Sequence, residues 1–355
     1  GTDIVLLRNR LQITADWFNR KTTGMFIAGS PLPAVFGATV PYGNYADMST
    51  KGWELTIAWK DRTTLFGSPF EYGFNGSLWD SKSTITRFNN PTRTLSSTYY
   101  TGHTVGEIWG YMTDGLFQSQ EEIVGHANQD FLQNSNSRKL LPGDVKFVDL
   151  NKDGFINQGD NTVDNPGDRK IIGNSSPRYQ FGFTLSGRWK GIGLSAFFQG
   201  IGKRDWYFAP EAGMFWGLYN RPYGYQSVKM MENYWTEDNP DAYFPRLRGY
   251  AANTTTRSLG APQTRYLQDA SYLRFKTLTI DYQLPKAWMQ RWKMNSATIF
   301  VSMQNLFTIS GMFKYTDSID PEIIENPLGD LLNNSGQGYA YPMLKTTTIG
   351  LNINF

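Results

Sequence analysis

The residues best suited to chemistry form one acidic loop near the middle of the chain. Oxygen-bearing side chains alternate there with other residues, and Gly154 follows the third of them. This spacing matches a calcium-binding EF-hand loop, in which alternate oxygen ligands wrap the ion and the glycine permits a sharp turn. The ligands predicted from the spacing are Asp149, Asn151, Asp153, the backbone carbonyl of Phe155, Asn157 and Asp160.

The same loop has a second interpretation. Asp and Asn side chains also accept hydrogen bonds from their own backbone in turns, and such turns need no metal. Asp160 stands where an EF-hand usually has Glu, so its shorter side chain would weaken bidentate ligation. We expect a structural Ca²⁺ ion that holds a long loop in place, and no catalysis at this position.

A second group of residues suited to binding is aromatic. Exposed aromatic side chains could stack on a sugar ring or dock a partner protein that covers the loops. The same side chains could instead form a small core of the loop itself, and the two interpretations remain open. The residues surround a short amphipathic helix predicted over 227–235, and the predicted substrate or lid contacts are Trp206, Tyr207, Trp216, Tyr219, Tyr223 and Tyr225.

The sequence offers little support for an enzyme. It contains no cysteine and only two histidines, His103 and His126, neither of which belongs to a recognisable catalytic motif. Nucleophile-elbow, zinc-protease, phosphate-loop and dinucleotide motifs are missing from fitting contexts. The net charge of +3, from 34 basic and 31 acidic residues, is too small to indicate a nucleic-acid partner. We therefore expect no enzymatic activity.

The elements that would position these loops are two-faced β-strands. Aromatic residues make up 15% of the chain although its mean hydropathy is −0.45, which is typical of a wall that is apolar on one face only. Apolar and polar residues alternate with a period of two, the pattern of a strand with two different faces. The segments are 11–17, 53–59, 70–78, 179–189, 192–198, 278–284, 297–303 and 349–355, and residues 2–7 would be the tail of a ninth strand.

The predicted connections between these strands alternate between short and long. The short ones are 8–10, 61–69, 190–191 and 285–296, and the long ones are 22–50, 89–177, 205–269 and 313–342. Up-and-down membrane barrels have short periplasmic turns and long extracellular loops, whereas a soluble β-sandwich seldom has structureless connections this long. The prediction is an all-β fold, a transmembrane antiparallel β-barrel whose last strand descends to the periplasmic rim at Phe355. Because bacterial barrels have an even number of strands, nine strands would be only part of one.

The chain resembles the SusC/RagA family of TonB-dependent outer-membrane transporters. Each matching segment is weak alone, and the resemblance comes from their order along essentially the whole chain. The segments are NRLQITADWFN (9–19), KGWELTIAW (51–59), VGEIWGYMTDGLFQ (105–118), GDVKFVDLNKDG (143–154), RKIIGNSSPRYQFG (169–182), YWTEDNPDAYFPRL (234–247), YLRFKTLTIDYQLP (272–285), QNLFTI (304–309), DPE (320–322) and the terminal strand.

The resemblance implies a barrel of about 22 strands, of which residues 1–355 form about nine as its C-terminal part. A plug domain and the N-terminal strands would lie outside this chain. The implied function is import of oligosaccharide or peptide through the outer membrane of a Gram-negative bacterium, energised by TonB. A SusD-like surface lipoprotein would act as the lid, and Phe355 fits a terminal barrel-assembly signal. The alternative is an adhesin or structural barrel without transport.

Overall fold

The computed structural model describes residues 1–29, 35, 37–96, 99–133, 139–210, 212–224, 226–253, 256–316, 319–324 and 341–354. The described strands, in chain order, are β1 (Thr2–Leu6), β2 (Leu11–Ala28), β3 (Tyr42–Leu65), β4 (Ser68–Arg87), β5 (Glu107–Tyr111), β6 (Thr113–Leu116), β7 (Val145–Phe147), β8 (Arg169–Asn174), β9 (Arg178–Trp189), β10 (Ile192–Lys203), β11 (Asp205–Trp206), β12 (Gln268–Asp269), β13 (Tyr272–Gln283), β14 (Ser296–Ser310) and β15 (Thr346–Asn354). The described α-helices are α1 (Gln120–Val124), α2 (Gly213–Trp216), α3 (Val228–Met231) and α4 (Lys286–Arg291). Single 3₁₀ turns occupy Asp130–Leu132, Gly217–Tyr219, Ser258–Gly260 and Gly311–Lys314.

Nine of these strands form one antiparallel sheet in the order β1-β2-β3-β4-β9-β10-β13-β14-β15. Each strand pairs with its neighbours along the chain once the small strands within the long connections are set aside. The eight strands predicted by alternation and the ninth predicted at residues 2–7 are therefore all present, and their order is that of an up-and-down sheet. Phe355 lies outside the described residues.

The two faces of the sheet differ as the alternation predicts. Residues in register across the strands point to the same side, because side chains alternate along each strand. One such row is apolar and the next row along the strands is polar. The apolar row is Leu6, Leu11, Trp59, Phe74, Leu185, Ala196, Leu278 and Met303, and the polar row is Lys60, Gly73, Ser186, Ser195, Thr279 and Ser302.

The apolar face remains open in this chain. Large side chains on it such as Trp17, Leu194, Ile280 and Ile349 are exposed. A ladder of phenylalanine rings crosses five strands of the sheet, with stacked pairs at centroid distances of 4.9 and 4.3 Å, through Phe74, Phe183, Phe198, Phe275 and Phe307. An apolar surface of this extent is the kind that lipid or a partner covers.

Two predicted connections are shorter in the structure because the strands continue beyond their alternating cores. The predicted loop 22–50 contains paired backbone, with Ala28 opposite Tyr42, so the connection is 29–41. The predicted turn 61–69 reduces to Phe66 and Gly67, since Leu65 pairs with Ser68. Both turn residues have positive φ, 49° and 71°, as two-residue hairpins of a twisted sheet require.

The hydrophobic core of the chain lies in the long connections. Three connections leave the same end of the sheet, 88–177, 204–271 and 311–345, and their described parts pack together around fully or almost fully buried side chains. The pairs β5–β8, β6–β7 and β11–β12 give this unit short ladders of its own. The largest of its buried side chains are Phe117, Phe147, Phe208, Trp216, Tyr219, Met230, Phe244 and Tyr266. We call this unit the loop domain.

Helices contribute little. Among the described residues, no helix is long and apolar enough to cross a lipid bilayer. The helix predicted over 227–235 is only one turn long and forms α3. Ser227 caps its N-terminus, because the Ser227 side chain accepts a hydrogen bond from Met230 N. The prediction of a helix at this position was right in place and wrong in length.

Candidate functional sites in the loop domain

The acidic loop is folded around its own side chains. Asp149 Oδ2 accepts a hydrogen bond from Gly154 N at 2.9 Å, and Asp153 Oδ1 accepts one from Phe155 N at 2.8 Å. Asn151 Oδ1 accepts one from Asp153 N at 3.1 Å. Gly154 has φ of 84°, so the sharp turn assigned to it from the sequence is present. These are the Asx-type contacts of the second interpretation, and they also bring the first three predicted ligands around one turn.

The later part of the predicted ligand set is arranged differently. Asn157 Oδ1 accepts a hydrogen bond from Gly159 N at 2.6 Å, and Asp160 Oδ2 accepts one from Asn165 Nδ2 at 2.9 Å. Phe155 has an exposed side chain. Asp160 thus holds the neighbouring turn through Asn165.

The donor set fits a hard cation in part. Asp149 and Asp153 supply carboxylate oxygens, each with lone pairs beyond the bond it accepts, and Asn151 supplies an amide oxygen. In the ranges that the structure describes, however, no three His, Cys, Asp or Glu side chains converge on one point. The calcium assignment stays a prediction.

Asp168 is a loop residue that the spacing argument missed. Its buried carboxylate accepts hydrogen bonds from Leu150 N and Asn157 N, both at 2.8 Å, and so joins the two ends of the acidic loop. Burial raises the pKa of Asp168, and the amide bonds act against that rise. Asp168 lies outside the twelve-residue EF-hand window, so no spacing rule indicates it.

Two of the predicted aromatic contacts belong to the core of the loop domain. Trp216 and Tyr219 are fully buried, and their polar atoms bond to backbone carbonyls, Trp216 Nε1 to Ala209 O at 3.0 Å and Tyr219 OH to Pro245 O at 2.8 Å. For these two, the structure favours the core interpretation over contact with a substrate or lid. Tyr223 is 76% exposed, and Tyr225 lies outside the described residues.

Trp206 and Tyr207 border an open cleft of about 490 Å³ between two of the long connections. Trp109, Pro210 and Pro262 also line it. Tyr207 OH donates to Leu259 O at 2.6 Å, which leaves its ring as the part available to the cleft. A cleft of this volume with apolar walls and few polar groups is typical of small-ligand sites.

Glu107 lines the cleft, and its neighbours hold its carboxylate in the ionised form. Trp109 Nε1 donates to Glu107 Oε1 at 3.0 Å, the amide of Thr104 donates to Oε2 at 3.0 Å, and His103 Nδ1 lies 3.1 Å from Oε1. Burial raises the pKa of Glu107, but these neighbours and a bond from Tyr100 outweigh it and lower the pKa to about 2. Glu107 accepts the hydrogen bond that orients the Trp109 indole, and it carries a negative charge at neutral pH.

A buried ion cluster ties the last long connection to the wall of the sheet. Arg274 of β13 contacts Asp320 Oδ1 and Glu322 Oε2, both at 2.5 Å, and its side chain is 4% exposed. Lys276 Nζ lies 2.6 Å from Glu322 Oε1, which also accepts a bond from Gln199 Nε2 at 3.0 Å. The motif 320–322 was noted in the sequence, but its basic partners in β13 were not predicted.

The sheet also presents charge near its short-turn end, where an open concavity of about 770 Å³ lies. Arg188 Nη2 lies 2.7 Å from Asp281 Oδ2, and Arg62 Nη2 lies 3.5 Å from Glu71 Oε1. These four side chains lie in one register row on the polar side, with Gly193 between Arg188 and Asp281, and Lys60 lies in the next row on that side. The polar face therefore carries both signs of charge.

Comparison with known proteins agrees with this architecture. No protein-family model matches the chain. The chain is 27% identical over 375 residues to TonB-dependent receptor P3 of Formosa agariphila, an alignment that covers 100% of this chain and 33% of that protein. TonB-dependent receptor P26 of the same organism is 23% identical, over 99% of this chain and 33% of that protein. The chain spans about a third of the length of the curated relatives it matches.

Solved structures show the same fold. A structure of the RagAB peptide transporter matches with a TM-score of 0.66 and 21% identity, over 99% of this chain and 34% of that chain. The RagAB peptide importer in its open-open state matches with a TM-score of 0.63 and 19% identity, over 98% and 33%. The resemblance to TonB-dependent transporters of the SusC/RagA type is confirmed, and so is the predicted fold class of a partial antiparallel β-barrel.

Proposed function

We propose that the chain forms part of the wall and the outward loops of an outer-membrane importer of nutrients. The observation that carries the proposal is the nine-stranded sheet, apolar and open on one face and polar and charged on the other, with all three folded connections at one end. In a closed barrel the apolar face would meet the lipid bilayer and the polar face would line the passage. Strands from the rest of a longer protein would pair with the edges β1 and β15, because unpaired backbone in lipid is costly.

The relatives support a proposal for the energy source and for the partner. Proteins similar over the whole chain are named TonB-dependent receptors, and a matching solved structure is that of the RagAB peptide transporter. We infer that TonB energises transport through a plug outside this chain and that a SusD-like surface lipoprotein covers the loop domain. The proposed location is the outer membrane of a Gram-negative bacterium, with oligosaccharide or peptide as cargo.

Uptake by cells that produce the full-length protein tests this proposal. Fluorescent oligosaccharides and peptides are supplied separately, in cells with and without TonB. We expect one cargo class to accumulate inside the outer membrane only when TonB is present. Binding at the surface without TonB-dependent accumulation would favour an adhesin, and release of cleaved products by the purified protein would favour a hydrolase. Either result would refute the importer.

The cleft beside Trp206 is the part of the described loop domain best placed for cargo. We infer that Trp109 and Trp206 contact cargo. The hydrogen bond from Trp109 Nε1 to Glu107 would fix the orientation of the Trp109 indole. Trp206→Ala should raise the cargo concentration needed for half-maximal uptake. Val124→Ala is the control, since this exposed side chain of the loop domain does not line the cleft. Equal uptake curves for the wild type and the Trp206 variant would remove this assignment.

We also propose that Ca²⁺ stabilises the acidic loop through Asp149, Asn151 and Asp153. The ion would neutralise two carboxylates that the turn brings together. Asp153→Ala should abolish the part of the melting temperature that depends on Ca²⁺, and Asp114→Ala, at an exposed acid elsewhere, should not. Identical wild-type melting curves in Ca²⁺ and in chelator would show that the loop needs no metal.

A further inference from the structure

The connection between β13 and β14 differs from the other short turns because it contains a helix, α4, and two exposed tryptophan side chains. Trp288 and Trp292 of this connection are 52% and 53% exposed, and their ring centroids are 6.2 Å apart. Met289 between them is buried and fixes α4 against the protein. The two indoles are thus held at the surface by a packed residue beneath them.

This connection is also uniformly basic. Lys286, Arg291 and Lys293 are all exposed, and residues 284–296 contain no Asp or Glu. The surface therefore combines two indoles with three cations in a single helical turn and its flanks. We call these five residues the rim patch.

A neighbouring turn extends the same chemistry. Gln283 N donates to Gly191 O at 2.9 Å, which places the β9–β10 turn beside the start of the rim patch. Lys190 Nζ lies 4.7 Å from the centroid of the Trp189 ring, and Phe66, 84% exposed, lies 6.2 Å from the same ring. Aromatic and basic side chains therefore recur along this edge of the sheet.

The position of the rim patch indicates what covers it. It begins where the open apolar face ends, next to the exposed side chains of Ile192, Tyr282 and Ile299. Indole rings favour the boundary between hydrocarbon and headgroups, and exposed Lys and Arg are attracted to anionic lipid. Continuity with the lipid-facing surface and a purely positive charge both fit phospholipid headgroups.

We propose that the rim patch binds anionic phospholipid in the periplasmic leaflet, with Trp288 and Trp292 at the headgroup level and the three cations on lipid phosphates. The proposal rests on the proposed membrane-spanning function, which makes the short-turn end periplasmic. It adds a lipid preference that the two-faced sheet alone does not require.

Lipid titration of the full-length protein in detergent tests the proposal. Native mass spectrometry would count bound phosphatidylglycerol and phosphatidylcholine for the wild type and for Lys286→Gln/Arg291→Gln/Lys293→Gln. At low ionic strength we expect the wild type to prefer phosphatidylglycerol and the triple variant to bind it more weakly, on the order of 100-fold. Trp288→Ala/Trp292→Ala should lower the occupancy of both lipids.

A charge-matched control separates a site from general attraction. Lys21→Gln/Lys170→Gln/Lys203→Gln removes three exposed cations toward the long-loop end and should leave phosphatidylglycerol binding unchanged. Equal loss in both triple variants, or no preference in the wild type, would overturn the proposal. Failure of TonB-dependent uptake with lipid preference intact would count against the importer alone.

Discussion

The ion cluster of Arg274 allows a sharp prediction for the substitution Arg274→Met. The variant keeps much of the side-chain volume but leaves Asp320, whose side chain is 6% exposed, without its cationic partner. Glu322 retains Lys276 at 2.6 Å, so the main loss falls on Asp320. Removing one partner of a buried pair typically costs about 3–5 kcal/mol, because an uncompensated charge is left in a poorly solvated place.

Hydrogen exchange at residues 319–324 measures this loss directly. Glu322 N donates to Asp320 Oδ1 at 3.0 Å, and Ile323 N donates to Asp320 O at 3.3 Å, so both amides report on whether the segment stays docked. A loss of about 3–5 kcal/mol corresponds to exchange faster by roughly 10² to 10³ or more, up to the rate of the open segment. Mass spectrometry of peptides from the full-length protein would give these rates.

The control uses the same substitution at an exposed pair on the same wall. Arg62 and Glu71 lie 3.5 Å apart with side chains 67% and 56% exposed, and such pairs contribute about 0–1 kcal/mol. Arg62→Met should leave exchange at 319–324 unchanged. The reasoning would be refuted if Arg274→Met changed that exchange less than threefold. Adding Asp320→Asn to Arg274→Met should recover part of the loss, since the unpaired charge is then gone.

Two further predictions concern the loop domain. Trp216→Ala should destabilise it by about 3–5 kcal/mol, as expected for a fully buried Trp, whereas Tyr223→Ala should change stability by less than about 0.5 kcal/mol. Protease resistance of the loops in urea would measure both, and equal resistance would contradict the assigned core. Because the pKa of Glu107 is lowered to about 2, the stability that its carboxylate contributes is present above pH 4.5 and lost as pH falls toward 2. Glu107→Gln should flatten that part of the pH profile of loop stability, and an unchanged profile would assign it to other acids.

The strand framework could be predicted because one physical constraint acts on every strand. Apolar side chains must alternate with polar ones wherever the two faces meet different surroundings, and all eight alternating segments are strands of the sheet. The ends of β2 and β3 were missed because alternation weakens over residues 22–28 and 42–50, although the backbone of these residues is paired. Pairing without a hydropathy difference leaves little trace in the sequence.

The sites in the loop domain could be predicted only where they are local. The turn at Gly154 follows from neighbouring residue types and is present. The partners of Asp144 and Asp320 could not be predicted in the same way, because their ion pairs with Arg248 and Arg274 join residues far apart in sequence. The aromatic cluster was recognised, but aromatic side chains have the same sequence pattern whether they are buried or face a ligand. The sequence therefore could not predict that Trp216 is buried, and only the fold shows it.

The location of the core inside the long connections has a consequence for assembly in the cell. The hydrophobic effect, which requires water, can consolidate the loop domain only after its three segments have emerged on the aqueous side. Those segments are tethered by strand ends that become neighbours when β4, β9, β10, β13 and β14 have paired. If the chain spans the outer membrane as proposed, insertion of the sheet should precede folding of the loop domain, and a defect in the loop domain should yield an inserted protein with protease-sensitive loops.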